Sequence, residues 1–73
     1  MNKLDLHNVS HENASIIIDD FIISNFLNLP IEIITGNSVD MQSILRSIIK
    51  KHRLRMVPTH ANNLGSYIIN NKL

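Results

Sequence analysis

Cysteine is absent from the 73-residue chain. This excludes a disulfide framework and any thiolate metal site, and it suits a reducing compartment. Tryptophan is absent too, and aromatic residues make up only 4% of the sequence. The three aromatics, Phe21, Phe26 and Tyr67, are not interleaved with the basic residues, which argues against a stacking platform for single-stranded bases. No uninterrupted apolar stretch exceeds three residues, as at Ile16-Ile17-Ile18; a membrane-spanning helix needs about 20. Neither secretion nor membrane insertion is expected, and the expected location is the cytoplasm. Repeats, low-complexity segments and linkers are also missing, so residues 1–73 are expected to form one free-standing domain. A chain of this length hides only about 60% of the surface its unfolded form exposes, so its core must be compact.

Excess charge of either sign is lacking as well: seven Lys+Arg against six Asp+Glu leave +1. The distribution is more informative than the sum. Arg46, Lys50, Lys51, Arg53 and Arg55 fall within a stretch that contains no acid, and every acid precedes it. One end of the molecule should therefore be positive. Asn and Ile are abundant, consistent with an A/T-rich coding source such as a phage or a small bacterial genome.

Leu4-Asp5-Leu6-His7 alternates apolar and polar with period two, which predicts a half-buried strand with Asp5 and His7 facing outward together. Ser10, followed by Glu12 and Asn13, supplies a helix cap and a first-turn acid. Ala14, Ile17, Ile18, Phe21, Ile22 and Phe26 then recur at helical spacing, predicting a helix from Ser10 to Asn28 that Pro30 cannot prolong. Ile16 and Ile23 fall away from the main stripe. They predict either an exposed strip that favours a homodimer through this first helix, or coverage by helix-on-sheet packing.

Ile31 to Thr35 is β-branched and ends in Gly36-Asn37-Ser38, a strand followed by a turn. A β-α-β crossover makes the two strands parallel, so His7 and Thr35-Gly36 should emerge on one edge of the sheet. Ser38 caps a second helix with Met41, Ile44, Leu45, Ile48, Ile49 and His52 on its apolar face. The basic run at its end suits the negative pole of the helix. Arg55 to Thr59 predicts a strand that Pro58 confines to an edge. Asn62-Asn63-Leu64-Gly65 reads as a turn, and Ser66 to Ile69 as the last strand. The expected fold is α/β, an α+β two-layer sandwich of order β-α-β-α-β-β with two helices on a mixed four-stranded sheet.

"LDLH" closing the first strand, "SHENA" opening the helix, "IITGNS" ending the second strand and "NLG" before the last one resemble, in order and spacing, the Smr (small MutS-related) domain. The likeness spans almost the whole chain. It implies a fold akin to the C-terminal domain of bacterial translation initiation factor three. It also implies action on nucleic acid: DNA nicking, RNA cleavage, or binding alone. By position, Asp5 and His7 match the Asp and His of the family's LDLHG motif, and Thr35-Gly36-Asn37-Ser38 matches its TGxG loop. Asn8 and Ser38 stand where the family has glycine. Asn tolerates the left-handed backbone that glycine often serves, whereas a serine side chain limits close approach of a ligand.

Phosphodiester cleavage needs a group to activate the nucleophile, a group to protonate the leaving oxygen, and positive charge or N–H donors at the phosphate. An imidazole titrates near ~6.5, so His7 can act as acid or base at neutral pH. Asp5 can orient it, act as base, or hold a divalent cation, Mg²⁺ or Mn²⁺. Thr35, Gly36, Asn37 and Ser38 can hold a phosphate through backbone N–H groups, and Lys50, Lys51, Arg53 and Arg55 can contact the nucleic-acid backbone, making binding salt-dependent. Asp40 competes for the same helix pole and is expected to point aside. Each feature also has a plain reading: the wet face of a strand for Asp5 and His7, an ordinary strand-to-helix turn for residues 36–38, and a solvated helix end for the basic run. His11 is expected to be a surface residue of the first turn, His52 a core-edge histidine, and Asn63 and Gly65 turn formers. His60 can lie toward the site or away from it. His7 and His11 do not form a helical zinc pair, because the helix starts between them.

Overall fold

Residues 1–72 are described by a computed structural model. The first strand, β1 (Lys3–Asp5), is short, but the chain stays beside its neighbour through Leu6, whose N–H donates to the Ile34 carbonyl at 2.9 Å. Leu6 is buried and Leu4 half-buried, as the alternation requires. Helix α1 (His11–Ser24) starts where Ser10 Oγ accepts the Asn13 N–H, and it buries Ala14, Ile18 and Ile22, four residues apart. It stops four residues short of the expected Asn28. Asn25 is buried there, sharing its N–H between the Phe21 and Ile22 carbonyls and donating Nδ2 to the Phe21 carbonyl at 2.8 Å. A side chain that takes over a last-turn carbonyl ends the α-helix, and Phe26–Asn28 continue as a 3₁₀ turn.

Strand β2 (Ile31–Ile34) pairs parallel with β1, Leu4 opposite Ile33. Helix α2 (Val39–Lys51) is capped by Ser38, whose Oγ accepts the Met41 N–H at 3.1 Å. After it, Arg53 adopts a left-handed φ of 57° as the chain turns into β3 (Leu54–His60). A hairpin leads on to β4 (Asn63–Asn71), and the sheet order is β1-β2-β4-β3. Strand β4 is antiparallel to both neighbours. The β-α-β-α-β-β order, the two layers and the edge position of the Pro58 strand are those expected from the sequence.

Both last strands are longer than the periodicity suggests. Asn63-Leu64-Gly65 has the composition of a turn, yet Asn63 pairs with His60, so the turn itself is Ala61-Asn62. The register advances one residue in β3, Thr59, against three in β4, residues 64–66, which makes a bulge. Asn63 Oδ1 accepts the Gly65 N–H at 2.8 Å and closes it.

Alternate sheet residues Ile31, Ile33, Tyr67 and Ile69 join Ile18, Ile22, Leu45 and Ile49 in one apolar core. On the sheet's other face a polar chain crosses all four strands. Lys3 pairs with Glu32 at 3.7 Å, Ser66 Oγ donates to Glu32, and the Thr59 and Ser66 hydroxyls meet at 2.8 Å.

The two helices are joined by a polar contact at their outer side. Asp19 Oδ1 of α1 meets His52 Nε2 at 2.6 Å and Lys51 Nζ at 3.1 Å. His52 is thus a core-edge histidine, with Phe26 edge-on to its ring. The His52 hydrogen bond, and after it that of Lys51, holds the Asp19 carboxyl below its ordinary value. A carboxyl depressed by folding adds stability above its unfolded pKa and loses it as pH falls through the folded value. Urea unfolding followed from pH 6 down to about 3 should therefore show a smaller acid loss for Asp19→Asn than for the parent. Parallel curves for the two proteins would contradict this role.

Candidate functional site

The C-terminal ends of β1 and β2 open onto one edge of the sheet. After β1 the chain turns at once: Asp5 Oδ1 accepts the His7 N–H at 2.9 Å, and the Val9 N–H donates to the Leu6 carbonyl at 3.1 Å. Asn8, third in that turn, has φ 63°, the left-handed region its glycine-matching position suggests. One oxygen of Asp5 is thus committed to backbone. His7 Nδ1 lies 3.9 Å from it, beyond hydrogen-bond range. Both side chains are more than half exposed, Asp5 57% and His7 72%.

After β2, Thr35 is buried and its hydroxyl donates to the Gly36 carbonyl at 2.9 Å. Gly36 has φ 66°, and a Cβ there would meet nothing within 4 Å, so backbone conformation alone calls for glycine. The Gly65 carbonyl accepts N–H groups from both Thr35 (2.9 Å) and Gly36 (3.0 Å). A Cβ on Gly65 would lie 3.0 Å from Asn63 Oδ1 and 3.3 Å from Gly36 backbone atoms. Gly65 is therefore the support on which the 35–36 loop rests. Two of the four expected phosphate-holding positions are spoken for: Thr35 by burial, and Gly36 because its N–H is bonded to Gly65. The N–H groups of Asn37 and Ser38 have no acceptor among the described residues. The Ser38 side chain is turned onto its helix as the cap.

These two turns face each other across an open cleft of about 250 Å³, lined by residues 6–9 and 35–38 with His11 and Met41. The volume falls below the ~300–1,000 Å³ of pockets that bury a drug-sized ligand, so the cleft cannot enclose one. Among the described residues no Lys or Arg lines it, and His7 and His11 are the only ionisable side chains that do. Asp40, in the first turn of α2, does not line it, as expected. The sequence places His11 on the surface of the first helical turn; the structure places it there and in the cleft wall. The available signal was the start of α1 immediately beside the end of β1. Among the described residues no group of three or more His, Cys, Asp or Glu stands together to hold a metal ion. A Mg²⁺ or Mn²⁺ at Asp5 would find a single carboxylate, already an acceptor for His7 N–H, and this is no preformed metal site.

The basic run lies elsewhere. Helix α2 has 13 residues, so Lys50 and Lys51 stand about 20 Å from Ser38. Arg53, just before β3, and Arg55, near its start, are level with the N-terminal end of β2, away from the cleft. Lys51 is committed to Asp19, while Lys50, Arg53 and Arg55 are exposed and form no ion pair among the described residues. Arg46, one turn before Lys50, is exposed on the same helix. His60 ends β3 and does not line the cleft. On α1, Ile16 and Ile23 are exposed, 64% and 55%. Among the described residues no helix is long and apolar enough to cross a membrane.

No protein-family model matches this chain, and no curated protein is significantly similar to it.

Gly65→Ala should cost about 1–3 kcal/mol through overpacking against Asn63 Oδ1 and the Gly36 backbone. It should also move the amide resonances of Thr35, Gly36 and Asn37 more than those of β3 residues 54–57. An Ala variant as stable as the parent, with those resonances unmoved, would remove Gly65 from this supporting role.

Proposed function

We propose that this is a Smr-like nucleic-acid-binding protein whose cleft at the ends of β1 and β2 engages a phosphodiester group and cleaves the chain there, as an endonuclease of RNA or DNA. The observation that carries this reading is the meeting of His7 with the unsatisfied Asn37 and Ser38 N–H groups in one open cleft. An imidazole supplies a proton acceptor or donor, and the N–H groups offer hydrogen bonds to non-bridging oxygens. The turn built by Asp5 and Asn8 fixes where His7 stands, which makes Asp5 a positioning residue through its backbone contact. The likeness of "LDLH", "SHENA", "IITGNS" and "NLG" to the Smr domain supports the same assignment, as does the β-α-β-α-β-β order.

A second reading, favoured by the distance of the basic end from the cleft, is a non-catalytic module that docks nucleic acid or nucleoprotein through Lys50, Arg53 and Arg55. A strand that touches both regions must run along α2 past Arg46, about 20 Å and hence about six nucleotides at 3.4 Å each.

Incubation with labelled single-stranded RNA, single-stranded DNA and branched DNA, in Mg²⁺, Mn²⁺ or EDTA, separates the readings. Cleavage that falls about 10²–10⁴-fold in His7→Ala supports the enzyme. Asp5→Asn, whose amide oxygen still accepts the His7 N–H, should keep most of the activity, whereas Asp5→Ala, which frees that N–H, should lose it. A gel shift without cutting by any of these proteins supports the docking module. In either case, replacing Lys50, Arg53 or Arg55 with Ala should lower the slope of log K against log salt by about 0.7 for a single strand. Lys51→Ala should change it less, because Lys51 is held by Asp19. Equal effects at all four positions would contradict that distinction.

A further inference from the structure

We infer that His11 is the second proton-transfer group of the cleft, paired with His7, and that the substrate is RNA, cut by attack of its own ribose 2′-hydroxyl. This inference rests on the phosphodiester reading of the cleft and names its substrate and chemistry. The two imidazoles enter from different elements, His7 from the turn after β1 and His11 from the first turn of α1. The other nearby charges are Asp5 beside His7, Glu12 in the first turn of α1 and Asp40 in the first turn of α2; none lines the cleft. Proton transfer within the cleft therefore falls to the two histidines. His11 has no side-chain hydrogen bond among the described residues and is exposed, so its imidazole is free to meet a ligand. It lies within "SHENA", to which the Smr likeness assigns no catalytic role.

A pair of imidazoles, one neutral and one protonated, suffices for one particular phosphodiester reaction. The neutral histidine takes the proton of the 2′-hydroxyl as O2′ forms its bond to phosphorus. The P–O5′ bond breaks, and the protonated histidine delivers its proton to O5′. The products are a 2′,3′-cyclic phosphate and a 5′-hydroxyl, and the two histidines exchange protonation states. No water or metal ion enters the balance. DNA lacks the 2′-hydroxyl and cannot follow this course, so the arrangement selects RNA by chemistry. The N–H groups of Asn37 and Ser38 are the available donors for the non-bridging oxygens.

The test uses the full chain in EDTA with a 5′-labelled RNA, the same RNA carrying one 2′-deoxynucleotide at the mapped cut, and the matching DNA. Binding is measured in parallel. The parent should leave a 2′,3′-cyclic phosphate and spare both the 2′-deoxy position and the DNA. His11→Ala, an exposed substitution expected to keep the fold, should cut at least 100-fold more slowly with RNA affinity unchanged. Of the two limbs of the pH–rate profile, one should vanish in His11→Ala and the other in His7→Ala. Cutting by His11→Ala at the parent rate overturns the inference while leaving the phosphodiester reading intact, as does cleavage of the 2′-deoxy substrate. A parent that binds RNA and cuts nothing in EDTA overturns the inference; cutting that returns with Mg²⁺ or Mn²⁺ keeps the phosphodiester reading, and no cutting in any of the three leaves the docking module. A parent that neither binds nor cuts any nucleic acid overturns the phosphodiester reading itself.

Discussion

A strand that returns parallel to the one before it needs a crossover long enough to bring the chain back to the starting edge, and α1 supplies it between β1 and β2. The pairing of Leu4 with Ile33, extended by the Leu6 N–H to the Ile34 carbonyl, fixes the two strand ends side by side. Everything in the cleft follows from that juxtaposition. The turn after β1 and the loop after β2 must then leave the sheet next to each other, and each leads directly into a capped helix. Remove the parallel register and His7 and the 36–38 loop have no reason to meet.

Several polar groups at this edge are held by the fold before any ligand arrives. Asp5 closes the turn that aims His7, and Thr35 is buried against its own loop. Ser38 caps α2, and the Gly36 N–H is taken by Gly65. Among the described residues, what remains free includes two imidazoles, the Asn37 and Ser38 N–H groups and the side-chain amides of Asn8 and Asn37. The division matters for interpreting variants, since a change at Asp5 or Gly36 alters both a contact and the backbone beneath it. His11 is on the surface of its helix, so its replacement isolates chemistry from architecture.

Much of the fold was legible because the physics that makes it is local. Period-two alternation at residues 4–6, capping serines at 10 and 38, and Pro58 in an edge strand each act within a few residues. Asn8 in the left-handed region was foreseeable for the same reason. His7, expected on the first strand, lies in the turn after it because β1 ends at Asp5. What escaped depends on contacts distant in sequence. Asn63-Leu64-Gly65 has turn composition, and only the pairing of His60 with Asn63 turns it into a bulged strand. The support that Gly65 gives to Gly36 spans 29 positions of the chain and leaves no local mark. The early end of α1 comes from Asn25 folding back on Phe21, one of several conformations an asparagine can take. The basic run was readable as a charged end, but its separation from the cleft follows from the length and direction of α2.

The proposed meeting of a phosphodiester chain with this protein is at the β1–β2 edge. Titration of the ¹⁵N-labelled chain with a short single-stranded RNA at low salt, read amide by amide, tests that most directly. The amides of residues 6–11 and 36–39 should shift together and saturate at one concentration, followed by those near Lys50 and Arg53 when the oligonucleotide is long enough to run along α2. Shifts confined to the outer face of α1, or to the basic end with residues 6–11 and 36–39 unmoved, would contradict it.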